Sequence, residues 1–171
     1  MLFRSVAREE FEAKIRAAVE ARRDPDLLII ARTDAISAIG FDEALRRGEA
    51  AARAGADVLF VESPRTEEQI ERIARAFDTP LLFNYVAGGR SPLLPFGRLR
   101  ALGYAIILLP VDSLLTAARA MQAFLGGLRA ADELSPFLDR EMTFAEFNDL
   151  IGVDEQLRLA ERYAAGGSAG S

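Results

Sequence analysis

The chain has 171 residues, enough for one domain with a sizeable core. Its 21 Lys plus Arg against 26 Asp plus Glu give a formal charge of -5, which argues against a nucleic-acid partner. With no cysteine and no histidine, disulfides, thiolate or imidazole metal sites and Cys–His or Ser–His–Asp nucleophile systems are all excluded.

Helical spacing of Phe11, Ile15, Ala18 and Val19 predicts a helix over Glu9 to Arg22, ended by Asp24-Pro25-Asp26. The apolar run Leu27 to Ala31 reads as a strand buried on both faces, as in a parallel sheet, with Arg32, Thr33 and Asp34 at its C-terminal end. A second helix is expected over Phe41 to Ala54, with Gly55 at its C-terminus. Asp57 to Val61 is the next strand, ending at Glu62. Ser63-Pro64 turns the chain, and Thr66 caps a helix to about Phe77 with Gln69 at the reciprocal position. Pro80 to Phe83 is the third strand, ending at Asn84. Gly88-Gly89 forms a loop, Pro95 to Leu102 a short helix and Tyr104 to Leu109 the fourth strand. A long helix capped by Asp112 or Ser113 then runs to about Leu128.

Strand, helix and short loop thus alternate four times, the pattern of a parallel α/β sheet. The expectation is a partial (β/α)8 TIM barrel, too short to close alone, over residues 7–130. Short helical segments at Phe137-Leu138, Met142 to Leu150 and Asp154 to Tyr163 predict a C-terminal helical extension over 131–165. Residues 1–6 read as an unrelated or disordered start and 166–171 as a flexible tail. No run approaches about 18 apolar residues, so no membrane span is expected. Met1 to Ser5 is too short an apolar stretch for a signal peptide, and a cytoplasmic location is the default.

In a barrel of this kind, polar residues at the C-terminal strand ends face the active-site mouth. Those ends offer Arg32 with Asp34, then Glu62, then Asn84, then the turn from Pro110 to Ser113. Together, Arg, Glu and Asn suit a small oxyacid. Arg grips a carboxylate with two parallel hydrogen bonds, Asn donates to another oxygen, and Glu orients a hydroxyl or exchanges a proton. Asp34 either caps the following turn or pairs with Arg32. Gly88 and Gly89 offer backbone amides to an anion, although no Gly-Lys-Ser/Thr follows and the loop is no P-loop. Any strand end needs polar groups, so these residues are candidates. The arginines Arg8, Arg22, Arg23, Arg46, Arg47 and Arg53 read as solvated helix faces.

The segment Ile30-Ala31-Arg32-Thr33-Asp34-Ala35 resembles the fifth strand of the isocitrate lyase and phosphoenolpyruvate mutase superfamily. The resemblance continues through Gly55 to Glu62, Pro80 to Asn84 with Gly88-Gly89 and Ser91-Pro92-Leu93, and Phe144 to Gly152. It covers about Ala7 to Tyr163, the C-terminal half of the family pattern, strands five to eight and the helical tail. It implies a magnesium-dependent lyase cleaving C–C bonds of small 2-oxo or 2-hydroxy carboxylates, in the manner of an oxaloacetate decarboxylase or methylisocitrate lyase. The alternatives are a phosphonate P–C mutase or hydrolase of the same superfamily, or a non-catalytic small-acid-binding fragment.

By the same resemblance, Arg32 binds a substrate carboxylate or an enolate-like intermediate, Glu62 contacts the reacting centre and Asn84 binds a carboxylate. The family's magnesium ligands and its Lys-x-Cys-Gly-His loop belong to earlier strands and have no counterpart here. No metal ligand is therefore assigned, and independent magnesium-dependent catalysis is not expected. The resemblance also implies a small carboxylate as ligand. It further implies homo-oligomers or dependence on an N-terminal half, because four βα units leave two strand edges open.

Overall fold

The computed structural model describes residues 5–164. The expectations for the first four residues and for the tail from 166 onward lie outside that range. The chain divides into two units, Met1–Thr116 and Ala117–Ser171.

The first unit is an α/β half-barrel. Its helices are α1 (Arg8–Ala21), α2 (Ala35–Ala38), α3 (Phe41–Arg53), α4 (Glu67–Ala76) and α5 (Phe96–Ala101), and its strands are β1 (Ile30–Thr33), β2 (Val58–Val61), β3 (Leu81–Asn84) and β4 (Tyr104–Leu108). The strands form one parallel sheet in the order β1-β2-β3-β4, with Ile30 opposite Val58, Leu59 opposite Leu81 and Asn84 opposite Leu108. α4 starts where Thr66 accepts a hydrogen bond from the Gln69 amide at 3.2 Å. The Gln69 side chain accepts from the Arg65 amide instead of completing the box at Thr66.

β1 begins three residues later than its apolar run predicts, and Leu27 and Leu28 are exposed. A turn holds them out of the ladder: the Asp24 side chain accepts from the Asp26 amide at 2.9 Å, and its carbonyl accepts from the Leu27 amide. Asp57 then clips the strand entry by accepting from the Ile29 amide at 2.7 Å and from Arg22 at 2.6 Å. Nor is β1 buried on both faces. Ala31 and Thr33 are buried, whereas Ile30 and Arg32 are exposed.

That alternation separates two faces of the sheet. Ala31, Leu59, Val61, Leu81 and Phe83 point to the helices and join Ala44, Ala51, Ile70, Ile73 and Leu99 in the main core. Val58, Phe60, Leu82 and the partly buried Ile106 form a smaller cluster on the opposite face, the one that lines the inside of a barrel. Tyr104 closes the helix-side core from below. Its phenol donates to the Ile70 carbonyl at 3.1 Å, and burial pushes its pKa up.

Two arginines expected on solvated faces are structural. Arg22 bonds Asp57, and Arg47 is 4% exposed, because α1 packs on α3 and traps its guanidinium against Glu43 and the Val6 carbonyl. Glu43 collects three arginines: Arg46 at 3.0 Å, Arg47 at 3.1 Å and Arg8 at 3.6 Å. Desolvation pushes this carboxyl up, but the Arg46 hydrogen bond and the charges of Arg8, Arg47 and Arg46 outweigh it and hold the pKa below the usual value. A depressed carboxylate pKa stabilises the fold above the unfolded pKa, and that stability is lost as pH falls through the folded value. Chemical denaturation from pH 6 downward is therefore expected to show a loss setting in below about pH 4.3. Glu43→Gln should flatten that acid limb; an unaltered limb in the variant would refute the assignment.

The second unit contains most of α6 (Asp112–Ala131), a 3-10 turn at Ser135–Arg140, α7 (Phe144–Ile151) and α8 (Val153–Ala164). α7 has a full capping box between Thr143 and Glu146 and ends on Gly152 at φ 70°. Phe137 is the one buried apolar side chain of this unit among the described residues, packed edge-on to Phe124 with ring centres 5.8 Å apart. The C-terminal helical extension is thus present, with Phe144, Leu150 and Leu157 exposed.

Candidate active site

Three neighbouring strands deliver the site. Arg32 lies in β1, Glu62 directly follows β2, and Asn84 ends β3. By strand alternation all three project from the face that carries Phe60 and Leu82, at the C-terminal ends of the strands. The Glu62 amide donates to the Thr33 carbonyl at 3.0 Å, which fixes the β2 exit against β1.

Arg32 is held by Asp34 in a fork, with Nε to Oδ2 at 3.1 Å and Nη2 to Oδ1 at 2.9 Å. Its Nη2 also stands 3.4 Å from Glu62 Oε2, and its guanidinium lies 4.6 Å from the centre of the Phe60 ring. The Asp34 hydrogen bond, opposed by partial burial and joined by the charges of Asp34 and Glu62, raises the Arg32 pKa. Of the two readings of Asp34, pairing with Arg32 is the one observed. Asp34 makes no side-chain cap of α2, and the Thr33 hydroxyl accepts from the Ala35 amide in its place, at 3.3 Å.

Glu62 is gripped from both sides. Ser63 Oγ donates to Oε1 at 2.9 Å, and Asn84 Nδ2 donates to Oε2 at 3.2 Å. Ser63 adopts φ 59°, a left-handed conformation that costs a non-glycine residue about 1 kcal/mol and turns its hydroxyl onto Glu62. Asn84 Oδ1 is buried without a hydrogen-bond partner among the described residues.

Above these groups is a cleft of about 230 Å³ lined by Arg32, Asp34, Ser37, Glu62, Ser63, Val86, Gly89 and Arg90. Gly89 borders it where a Cβ would come within 3.0 Å of the Val86 carbonyl oxygen; Gly88, at φ 77°, forms the adjoining bend without lining the cleft. The turn from Pro110 to Ser113 leads into α6 and does not line the cleft either. Three polar members had no distinguishing signal in the sequence. Ser37 sits in an apolar segment that reads as linker, Ser63 in an ordinary Ser-Pro turn, and Arg90 one residue beyond the glycine pair.

The arrangement suits an anion more than a cation. Among the described residues, no group of three or more His, Cys, Asp or Glu is placed to hold a metal ion. Both carboxylates at the mouth are engaged by Arg32, whose charge opposes a dication, and Mg²⁺ demands free oxygen ligands in near-octahedral array. The donor set of these residues does not fit a resident Mg²⁺.

The family profile described as Phosphoenolpyruvate phosphomutase matches residues 4–129. The chain is 44% identical over 161 residues to 2,3-dimethylmalate lyase of Eubacterium barkeri, covering 94% of this chain and 56% of that protein. It superposes on oxaloacetate acetylhydrolase in complex with 3,3-difluorooxalacetate with a TM-score of 0.85 at 32% identity, covering 98% of this chain and 56% of the other. Phosphonopyruvate hydrolase in complex with oxalate and Mg²⁺ superposes with a TM-score of 0.78 at 30% identity, covering 92% and 56%. The chain therefore spans about half the length of the relatives it matches. No helix of the described residues is long and apolar enough to cross a membrane.

Proposed function

The chain belongs to the isocitrate lyase and phosphoenolpyruvate mutase superfamily, and on that footing we propose that its cleft is the carboxylate-holding side of a lyase site for small 2-oxo or 2-hydroxy acids. The observation that carries this reading is the convergence of Arg32, Glu62 and Asn84 on one sheet face, joined by contacts of 3.4 and 3.2 Å.

Arg32 is aimed by Asp34, so its fork keeps one orientation. Its Nη1 makes no hydrogen bond among the described residues and is the donor left for a carboxylate or for the oxygen of an enolate-like intermediate. Charge that develops on such an oxygen is stabilised by a donor already in place. Glu62, fixed by Ser63 and Asn84, stands next to that oxygen. Asn84 gives Nδ2 to Glu62, does not line the cleft and has its Oδ1 buried, so its part is to position Glu62 rather than to bind a substrate carboxylate. Gly89 lines the cleft and Gly88 shapes its rim, leaving backbone open to the ligand. These roles are binding and orientation; no step through Mg²⁺ is assigned to these residues.

The test is a calorimetric titration of the full chain with oxalate. Saturable binding that disappears in Arg32→Ala supports the reading, and an isotherm unchanged by that substitution refutes it. A second expectation concerns partners. β1 and β4 are the two open edges of a parallel sheet, and unpaired edges favour association. Size-exclusion chromatography is expected to show oligomers; a monodisperse monomer that melts cooperatively would count against this.

A further inference from the structure

The cleft holds two guanidinium groups in different states. Arg32 is already satisfied by Asp34 in a bidentate fork and by Glu62 at 3.4 Å. Arg90 lies across the same cleft, beyond Gly89, and its one hydrogen bond among the described residues is from Nη1 to the Ser37 hydroxyl at 3.3 Å. No carboxylate is paired with it. The formal charges lining the cleft sum to zero, since Asp34 and Glu62 balance Arg32 and Arg90, but they are unevenly placed. Both negative charges gather on Arg32, and the uncompensated positive charge belongs to Arg90.

We infer that Arg90 is a specificity-determining residue that reads a second carboxylate on the substrate and so selects diacids over monoacids. This rests on the proposed small-acid site and deepens it. One end of the ligand meets Arg32 Nη1 and Glu62, which Asn84 holds from behind. The other meets Arg90, an exposed fork whose partner is a neutral hydroxyl that a carboxylate would outbid. The volume agrees. About 230 Å³ is below the roughly 300–1,000 Å³ of sites for drug-sized ligands and suits an acid of a few carbons. Arg90 is close to the bend at Gly88, and Gly89 keeps the backbone tight there, so the loop fixes where the fork begins.

The experiment compares L-malate with 2-hydroxybutyrate, which have the same hydroxy-acid head and differ in the second carboxylate, by calorimetry on the full chain. The wild type is expected to prefer malate. Arg90→Gln should weaken malate binding by about tenfold or more while leaving 2-hydroxybutyrate within about twofold, and Arg90→Lys should restore part of the preference. Arg32→Ala should weaken both acids, which marks the underlying site. Equal loss of both acids in Arg90→Gln, or loss of neither, overturns the role of Arg90 while leaving the site intact. A wild type that binds both acids equally overturns it as well. A wild type that binds neither overturns the site and this inference together.

Discussion

Arg32→Ala is expected to weaken binding of oxalate or malate to the full chain by about 100-fold or more, the largest functional effect of any single substitution in the cleft. A hydrogen bond to a charged group contributes about 1.5–3 kcal/mol, and 100-fold corresponds to about 2.7 kcal/mol. Losing the contact is half of the effect. The other half is what stays behind: with Arg32 gone, Asp34 and Glu62 face Arg90 alone, and the cleft passes from neutral to net negative. An incoming carboxylate then meets repulsion where it met a donor. Arg32→Lys should recover little, because an ammonium cannot hold the Asp34 fork and present a further planar donor at once. Arg32 is 45% exposed at the side chain, so the thermal midpoint should hardly move, and calorimetry separates lost binding from lost folding. A loss smaller than about fivefold would mean that the acid does not sit on this residue.

Much of this site is legible in the sequence, and the legible part has a physical basis. A parallel βα unit places its strand ends on one rim, so Arg32, Glu62 and Asn84 can be collected by reading the residue at the end of each apolar run. The runs themselves are less secure at their starts. Leu27 and Leu28 have strand-like side chains, but the hydrogen bonds of the turn at Asp24 and the clip at Asp57 decide where pairing begins, and neither shows in hydrophobicity. The inner face of β1 was misjudged for a related reason. A short apolar run suggests burial on both sides, whereas burial of Ile30 needs something opposite it, and the described residues place it 44% exposed. Ser63 and Arg90 belong to loops whose side chains are aimed by backbone conformation, a left-handed φ in one case and a glycine bend in the other. Residue type carries no record of that aim.

Arg47 is the residue for which sequence and structure differ most, and it gives the second large prediction. On α3 it follows Arg46 and looks like one more solvated charge. Arg46 is 52% exposed at its side chain and Arg47 is 4% exposed, because a step of one residue turns the side chain by about 100° around the helix, here toward α1. Buried there, its Nη2 donates to the Val6 carbonyl at 2.6 Å, its Nε to Glu43 at 3.1 Å, and its guanidinium faces the Phe11 ring at 5.8 Å. One side chain thus ties the entry to α1, the body of α1 and α3 together. Removing one partner of a buried ion pair typically costs about 3–5 kcal/mol, because the group left behind has been desolvated without compensation. Glu43 keeps Arg46 and Arg8, which moderates that part, but the Val6 carbonyl keeps nothing and the stem leaves a cavity beside Phe11. Arg47→Ala is therefore expected to lower stability by about 3 kcal/mol in urea denaturation. Arg47→Met should lose less, since it refills the space of the stem without restoring the charge. Pairing Arg47→Met with Glu43→Gln should cost less than the sum of the two single changes, because the neutral amide no longer needs the guanidinium. A loss below about 1 kcal/mol in Arg47→Ala would show that hydrophobic packing of Phe11, Ile15 and Val19 holds α1 on the half-barrel without this pin.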